Sequence, residues 1–154
     1  IAWIMNVATV LNIPILATAE DVSADVDMLP RLKALLPQGQ SVFNKIVFSL
    51  YGQKDIRDAL EVLKRKDLVL VGQETDVCIA QSAIDLVNAG YRVWVADDAT
   101  ASPGPHHEAG LRRMRGAGVT VSGIKGIYYE WLRDVPTAIA VETAVNKTPS
   151  DLTL

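Results

Sequence analysis

The chain contains 154 residues, of which 49% are apolar and 21% are charged, and its formal net charge is −3 at pH 7. This length gives a single globular domain, residues 1–154, with enough apolar side chains for a core, and the interspersed charges exclude a basic surface for nucleic acid. A single cysteine excludes an internal disulfide, and the chain shows neither a signal-peptide pattern nor an apolar run of the roughly 20 residues that span a bilayer, so we predict a cytoplasmic location and no membrane contact.

The N-terminal part alternates between a helical and a strand pattern. Residues 1–11 space their apolar side chains as a helix does, and residues 13–18 form an apolar run that predicts a buried strand. The acidic loop 19–27 follows that strand, which places Glu20 at the edge of the sheet where α/β proteins bind ligands. Carboxylates can bind metal ions, but the loop contains no histidine, so we predict no metal at this site.

Lys45 lies in the next group of elements. A short helix is predicted over residues 28–36 and an amphipathic helix over residues 54–65. Between them, Lys45 stands among the apolar side chains of residues 42–49. Taken alone, such a lysine is a surface residue whose aliphatic stem covers apolar neighbours while its amine stays in water. The local pattern therefore assigns it no chemistry.

The only cysteine of the chain follows a strand and begins a helix. Residues 68–71 are a short apolar run that ends at Gly72, which predicts a strand buried on both faces. Thr75 is a suitable N-cap, and apolar side chains recur at helical spacing from Val77 onward, so Cys78 falls in the first turn. The helix dipole and free N–H groups there favour a thiolate and can hold an oxyanion, whereas a lone cysteine without such surroundings is an inert core residue.

Strands and helices continue to alternate towards the C-terminus. Strands are predicted over residues 91–96 and 118–122, and helices over residues 106–115, 124–132 and 135–145. His106 and His107 begin the first of these helices, where we expect both to be solvated. The aromatic segment 128–131, together with Trp3 and Trp94, supplies many large side chains for one small domain. We therefore predict a homo-oligomer.

Three segments together carry a resemblance to a known family. They are Gly-Gln-Glu-Thr-Asp-Val-Cys at residues 72–78, Gly-Tyr-Arg-Val-Trp-Val-Ala-Asp-Asp-Ala at residues 90–99 and Arg-Met-Arg-Gly-Ala-Gly-Val at residues 113–119. Over about residues 1–135 the chain resembles the isochorismatase-like cysteine hydrolases, a group that includes the nicotinamidases, and it is most similar to small members of uncertain substrate. The resemblance implies an α/β fold in which a doubly wound parallel sheet is the middle of three α/β/α layers.

The resemblance also implies a catalytic site. Cys78 is then the nucleophile, and Lys45, in a Lys-x-x-Phe-Ser pattern, is the cation of the catalytic trio. The backbone N–H groups of Cys78 and Glu74 receive the oxyanion, with a cis peptide before Glu74 turning its N–H inward. The substrate pocket is lined by Glu20, Phe48 and Thr75. Neither a metal nor another cofactor is expected.

One element of the family is not found in this sequence. The family's first strand lies at the centre of the sheet and ends in an aspartate that acts as general base. We therefore expect the sequence to be N-terminally incomplete relative to the family, with the strands at 13–18 and 67–72 presenting unpaired edges to each other. If that aspartate is missing, Glu20 is the nearest candidate to replace it.

Two functions follow from this interpretation. The first is a metal-independent cysteine hydrolase that cleaves a C–N bond of a small amide or ureido compound through a covalent thioester intermediate. The second is a non-catalytic protein of the same fold with a role in assembly or ligand binding. Reactivity of the Cys78 thiol separates the two, and the sequence does not identify the substrate.

Overall fold

The computed structural model describes residues 1–21, 27–145 and 148–149. The described residues form five strands: β1 (Thr18–Glu20), β2 (Phe43–Lys45), β3 (Asp67–Gln73), β4 (Arg92–Ala101) and β5 (Thr120–Ser122). They also form seven α-helices: α1 (Ala2–Val10), α2 (Pro30–Lys33), α3 (Lys54–Leu63), α4 (Ala80–Asn88), α5 (His106–Gly116), α6 (Ile124–Leu132) and α7 (Val135–Val145). A 3₁₀ turn lies at Leu50–Gly52 and a π-helical turn at Thr75–Ile79.

The strands pair in two parallel sheets. β1 pairs with β2, and the register sets Glu20 opposite Lys45. The second sheet contains β3, β4 and β5 in that order. Because every pair is parallel, the carboxyl ends of the strands in each sheet share one edge, which is the edge where ligands bind in α/β folds.

Two apolar clusters cover the two faces of the larger sheet. One cluster combines side chains of α1, α6 and α7 with Val69 and Val71 of β3. The other combines side chains of α3, α4 and α5 with Leu68 and Leu70. Successive side chains of a strand point to opposite faces, so both faces of β3 are covered by helices. The predicted α/β fold with three layers is confirmed.

β3 is nevertheless only partly buried along its length. Among the described residues it pairs with β4 alone, while β1 belongs to the other sheet. An unpaired edge leaves backbone and side-chain atoms accessible even where both faces are covered. The expectation that a further strand of the family lies between β1 and β3 stays a prediction.

The strand predicted over residues 13–18 is shorter than expected and begins only at Thr18. Pro14 has no N–H to donate to a partner strand. The carbonyl of Ile15 accepts a hydrogen bond from the side chain of Gln40 instead of from a strand. These two features keep Pro14 and Ile15 out of the ladder, which begins at Ala17, whose carbonyl accepts a hydrogen bond from the Phe43 N–H at 2.9 Å.

β4 is longer than the predicted strand over residues 91–96. Gly72 and Gln73 pair with Thr100 and Ala101 after a register shift, so the ladder continues past the predicted end. The carboxyl end of β3 is therefore supported where the chain turns towards the cysteine.

None of the helices in residues 1–21 and 27–145 combines the length and apolar character that crossing a bilayer requires. Of the predicted acidic loop 19–27, residues 22–26 lie outside the described residues.

Candidate active site

The cysteine lies on a π-helical turn between β3 and α4. The Gln73–Glu74 peptide at the end of β3 is cis, as the family resemblance implies. The turn Thr75–Ile79 follows, and the Ile79 N–H donates to the Glu74 carbonyl at 3.0 Å, which closes the wider π-helical ring. Cys78 is a free, half-buried thiol on this turn.

Two charged side chains from the small sheet reach the thiol. Lys45 is only 4% exposed, and its Nζ donates to the carbonyl of Val47 at 2.6 Å and lies 3.6 Å from the Cys78 sulfur. The thiol donates to Oε2 of Glu20 at 3.2 Å, and the same oxygen lies 3.8 Å from Lys45 Nζ. Lys45 and Glu20 stand opposite each other in the β1–β2 ladder, so one parallel pair delivers both to Cys78.

The pKa of the Cys78 thiol is shifted upward, whereas the helix terminus was expected to favour the thiolate. Burial raises the pKa of the Cys78 thiol above its ordinary value, and the hydrogen bond to the Glu20 carboxylate raises it further. The nearby Lys45 cation lowers that pKa but does not reverse the direction. The sequence pattern predicted a thiolate favoured by the helix terminus. In the structure the Cys78 thiol donates to the Glu20 carboxylate, and both burial and this hydrogen bond favour the neutral thiol.

The remaining predicted site residues occupy three different positions. Glu74 directly precedes the π-helical turn, with its side chain exposed. Phe48 follows Lys45 on the chain and is 53% exposed. Thr75 is fully buried, and its hydroxyl lies 2.9 Å from Nδ1 of His107 instead of capping the helix. This burial favours a supporting position beneath the site for Thr75, and its expected contact with substrate stays a prediction.

Sequence reasoning missed the contacts that α5 makes with the cysteine turn. His107 is partly buried against Thr75, not solvated as expected. A Cβ built on Gly110 would come within 2.8 Å of the Asp76 Cα. The sequence contains one signal of this contact: Gly110 lies inside a predicted helix, three residues after His107. Such a glycine marks close packing against another backbone.

Asp76, in the same turn, is held by the side chains of Ser102 and His106. The Ser102 hydroxyl donates to its carboxylate at 2.6 Å, and Nδ1 of the exposed His106 lies 3.8 Å from it. The Ser102 hydrogen bond, with a smaller contribution from His106, lowers the pKa of Asp76 below its ordinary value. The carboxylate is therefore a structural anion of the turn.

Within the described residues, no three histidine, cysteine or acidic side chains gather in the way that a metal site requires. Residues 22–26 of the acidic loop are not among them. The predicted metal-free chemistry therefore stays a prediction.

Comparison with known proteins identifies the fold family. A profile of the isochorismatase domain matches residues 9–125. The chain belongs to the isochorismatase family. Isochorismatase family protein 2A of Dictyostelium discoideum is 31% identical over 137 residues, which are 84% of this chain and 68% of that protein. The chain spans between 53% and 68% of the length of four such relatives.

Solved structures with the same fold have different descriptions. The MAR1 ribonuclease of Caenorhabditis elegans superposes with a TM-score of 0.84 at 24% identity, covering 99% of this chain and 81% of that one. YcaC of Escherichia coli, described as an octameric hydrolase of unknown specificity, gives 0.80 at 22% identity, covering 92% and 72%. The nicotinamidase PncA of Bacillus subtilis gives 0.67 at 18% identity, covering 79% and 81%. At these identities the likeness establishes the fold alone.

One relative bears on cellular location. The secreted isochorismatase effector Isc1 of Phytophthora sojae is 26% identical over 142 residues, covering 84% of this chain and 64% of that protein. One relative of this chain is therefore described as secreted, and the predicted cytoplasmic location stays a prediction.

Proposed function

We propose that the chain is a cysteine hydrolase that cleaves a C–N bond of a small amide or ureido compound through a thioester on Cys78. One observation carries this proposal: the Cys78 sulfur lies 3.2 Å from a carboxylate oxygen and 3.6 Å from a buried ammonium group. A nucleophile within hydrogen-bond distance of its base is the arrangement that covalent catalysis requires.

Glu20 is the general base of this proposal. The thiol proton passes to Glu20 Oε2 while the sulfur forms a bond to the carbonyl carbon of the substrate. Lys45 stabilises the negative charge on sulfur during this transfer, which offsets the raised pKa of the resting thiol. Glu20, which was predicted to line the substrate pocket, therefore has a chemical role in the proposal, because its carboxylate accepts a hydrogen bond from the nucleophile.

The remaining steps return every group to its starting state. The backbone N–H groups of Cys78 and Glu74 receive the oxyanion, as the family resemblance implies. Glu20 then gives its proton to the leaving nitrogen as the C–N bond breaks, which leaves a thioester. Water, deprotonated by Glu20, attacks the thioester, and the proton returns to the sulfur as the acid leaves. No cofactor enters these steps.

The family and the geometry favour an enzyme over the non-catalytic alternative. Hydrolases occur among the fold's solved neighbours, including a nicotinamidase. A lysine that is 96% buried costs free energy unless its charge is used or paired. Here that ammonium group donates to the Val47 carbonyl and also lies 3.6 Å from the thiol and 3.8 Å from the Glu20 carboxylate, and its place beside the thiol supports a catalytic use.

A substrate screen tests the proposal. Purified protein is incubated with a panel of small amides and ureides, and ammonia release is measured by a coupled assay. We expect at least one compound to be hydrolysed by the wild type and none by Cys78→Ala. Ammonia release that persists in Cys78→Ala contradicts the proposal.

We also propose that the chain self-associates, with helix α7 as a further candidate surface beside the exposed Tyr129 of the expected aromatic segment. Trp3 and Tyr128 are buried in the core against each other, with ring centroids 5.0 Å apart, so they are not interface residues. On α7, Val135 is 71% exposed and Ile139 is 61% exposed. Large apolar side chains on one exposed helix face are typical of an interface, and the fold neighbour YcaC is an octamer.

A further inference from the structure

His107 supplies a buried partner to the turn that carries the nucleophile. Thr75 begins that turn, has no exposed surface and uses its hydroxyl for no helix cap. The hydroxyl lies 2.9 Å from His107 Nδ1. A buried hydroxyl that loses its partner is unfavourable, so Thr75 depends on this imidazole to remain in its place.

The helix that carries His107 is itself locked against the turn. Gly110 lies one helical turn further along α5 and on the same face. A Cβ at this position would lie 2.8 Å from Asp76 Cα and 2.9 Å from Asp76 N, so the two backbones are in direct contact. Backbone atoms, unlike the end of a flexible side chain, cannot rotate away from such a contact. His107 is therefore held by a rigid helix at a fixed distance from Thr75.

The atoms used in the proposed reaction lie on both sides of Thr75. Glu74, whose N–H is one of the two proposed oxyanion donors, directly precedes it. Cys78 follows within the same π-helical turn. A displacement of Thr75 moves the donor and the sulfur relative to Lys45 and Glu20, which sit on separate strands. Misplacing reacting groups by about 1 Å costs up to about 100-fold in rate.

We propose that His107 is a positioning residue, which holds the Cys78 turn in register with Lys45 and Glu20 through its Nδ1 contact with Thr75. This inference rests on the proposed hydrolase function, because the register matters for catalysis only if Cys78 reacts. His107 touches neither the sulfur nor the two charged partners through any contact that the described structure gives, and it acts through Thr75.

Three variants separate this role from general stability. His107→Asn keeps a polar atom at the position of Nδ1, because the amide atoms of asparagine also bond to Cγ and can donate or accept. His107→Leu removes the polar atom and keeps the volume of the side chain roughly similar. Arg112→Leu is the matched control, since Arg112 lies on the same helix and is exposed.

Hydrogen exchange measured by mass spectrometry reports how stable the cysteine turn is, and it needs no substrate. In His107→Leu, we expect amides of residues 74–79 to exchange about tenfold faster than in the wild type, as the loss of one hydrogen bond predicts. His107→Asn and Arg112→Leu should match the wild type. Unchanged exchange over residues 74–79 in His107→Leu overturns the inference, whatever the enzymatic result.

Kinetics of amide hydrolysis complete the test. We expect kcat to fall roughly 10- to 100-fold in His107→Leu with KM nearly unchanged, and to recover to within about threefold in His107→Asn. Wild-type kcat in His107→Leu, alongside an inactive Cys78→Ala, overturns the inference and leaves the hydrolase proposal standing. Hydrolysis by Cys78→Ala overturns the hydrolase proposal itself.

Discussion

Replacing Glu20 with glutamine should change the rates of hydrolysis and of thiol alkylation in opposite directions. This pair of rates tests whether Glu20 is the base. The substitution keeps the size of the side chain and removes its negative charge. Hydrolysis needs a group that takes the thiol proton, so it should fall. Alkylation by iodoacetamide needs only the thiolate, and Glu20 raises the pKa of the Cys78 thiol through its hydrogen bond and its charge. Removing the carboxylate should therefore lower that pKa and speed up alkylation at neutral pH.

The size of each effect follows from the position of Glu20. Its Oε2 lies 3.2 Å from the sulfur, while 51% of its side chain is exposed. General bases contribute roughly 10²–10⁴-fold, and the exposure places Glu20 at the lower end, so hydrolysis should fall about 100-fold. Half-exposed charges interact by about 1 kcal/mol or less, and a less basic thiolate is less nucleophilic, so alkylation should rise only about two- to fivefold.

The two rates are measured on the same preparations. Ammonia release gives the hydrolysis rate, and mass spectrometry of timed samples with iodoacetamide gives the alkylation rate of the single cysteine. Glu142→Gln on α7 is the matched control, because it removes an exposed carboxylate elsewhere. If both rates fall together in Glu20→Gln, or if hydrolysis is unaffected, Glu20 is not the base.

Three further variants test other parts of the structure. Lys45→Met removes the cation that lowers the Cys78 pKa, so the pH profile of alkylation should move to higher pH. Hydrolysis should fall roughly 100-fold. An unmoved pH profile argues against the contact between Lys45 and Cys78. Gly110→Ala forces α5 off the turn, and we expect kcat to fall at least tenfold with a lower melting temperature; wild-type values in both would show that the backbones are not in close contact. Ile139→Asp should reduce the mass measured by light scattering if α7 forms the interface; a wild-type monomer contradicts self-association outright.

The sequence predicted the elements that carry the site because their signals are local. A short apolar run, a turn and a helical pattern place Cys78 after β3 without any knowledge of the rest of the chain. The family resemblance then singled out Lys45, which the local pattern had assigned to the surface. Its Nζ lies 3.6 Å from the sulfur, as expected, although its catalytic role stays a proposal.

The direction of the Cys78 pKa was not predictable in the same way. A helix terminus favours a lower thiol pKa, which is a local effect. Burial is the largest cause of the raised pKa of Cys78, and burial depends on which distant segments pack around the thiol. The carboxylate that adds to it, Glu20, is 58 residues away in sequence.

The supporting contacts were missed for a related reason. His107 and Thr75 are 32 residues apart, and only the docking of α5 on the cysteine turn brings them together. Likewise, the aromatic side chains of Trp3 and Tyr128 look like interface residues in sequence, yet α1 and α6 pack them against each other. Packing between helices determines these outcomes, and composition does not encode it.

The mass of the protein during turnover tests the central claim most directly. Wild-type protein is mixed with a hydrolysed amide, quenched with acid within the first turnovers and analysed intact and after digestion. We expect a fraction of the protein to gain the mass of the acyl group, on the peptide that contains Cys78, and to lose it on treatment with hydroxylamine. Turnover of the amide with no acyl group on Cys78 at any quench time, and with undiminished activity in Cys78→Ala, would contradict the account.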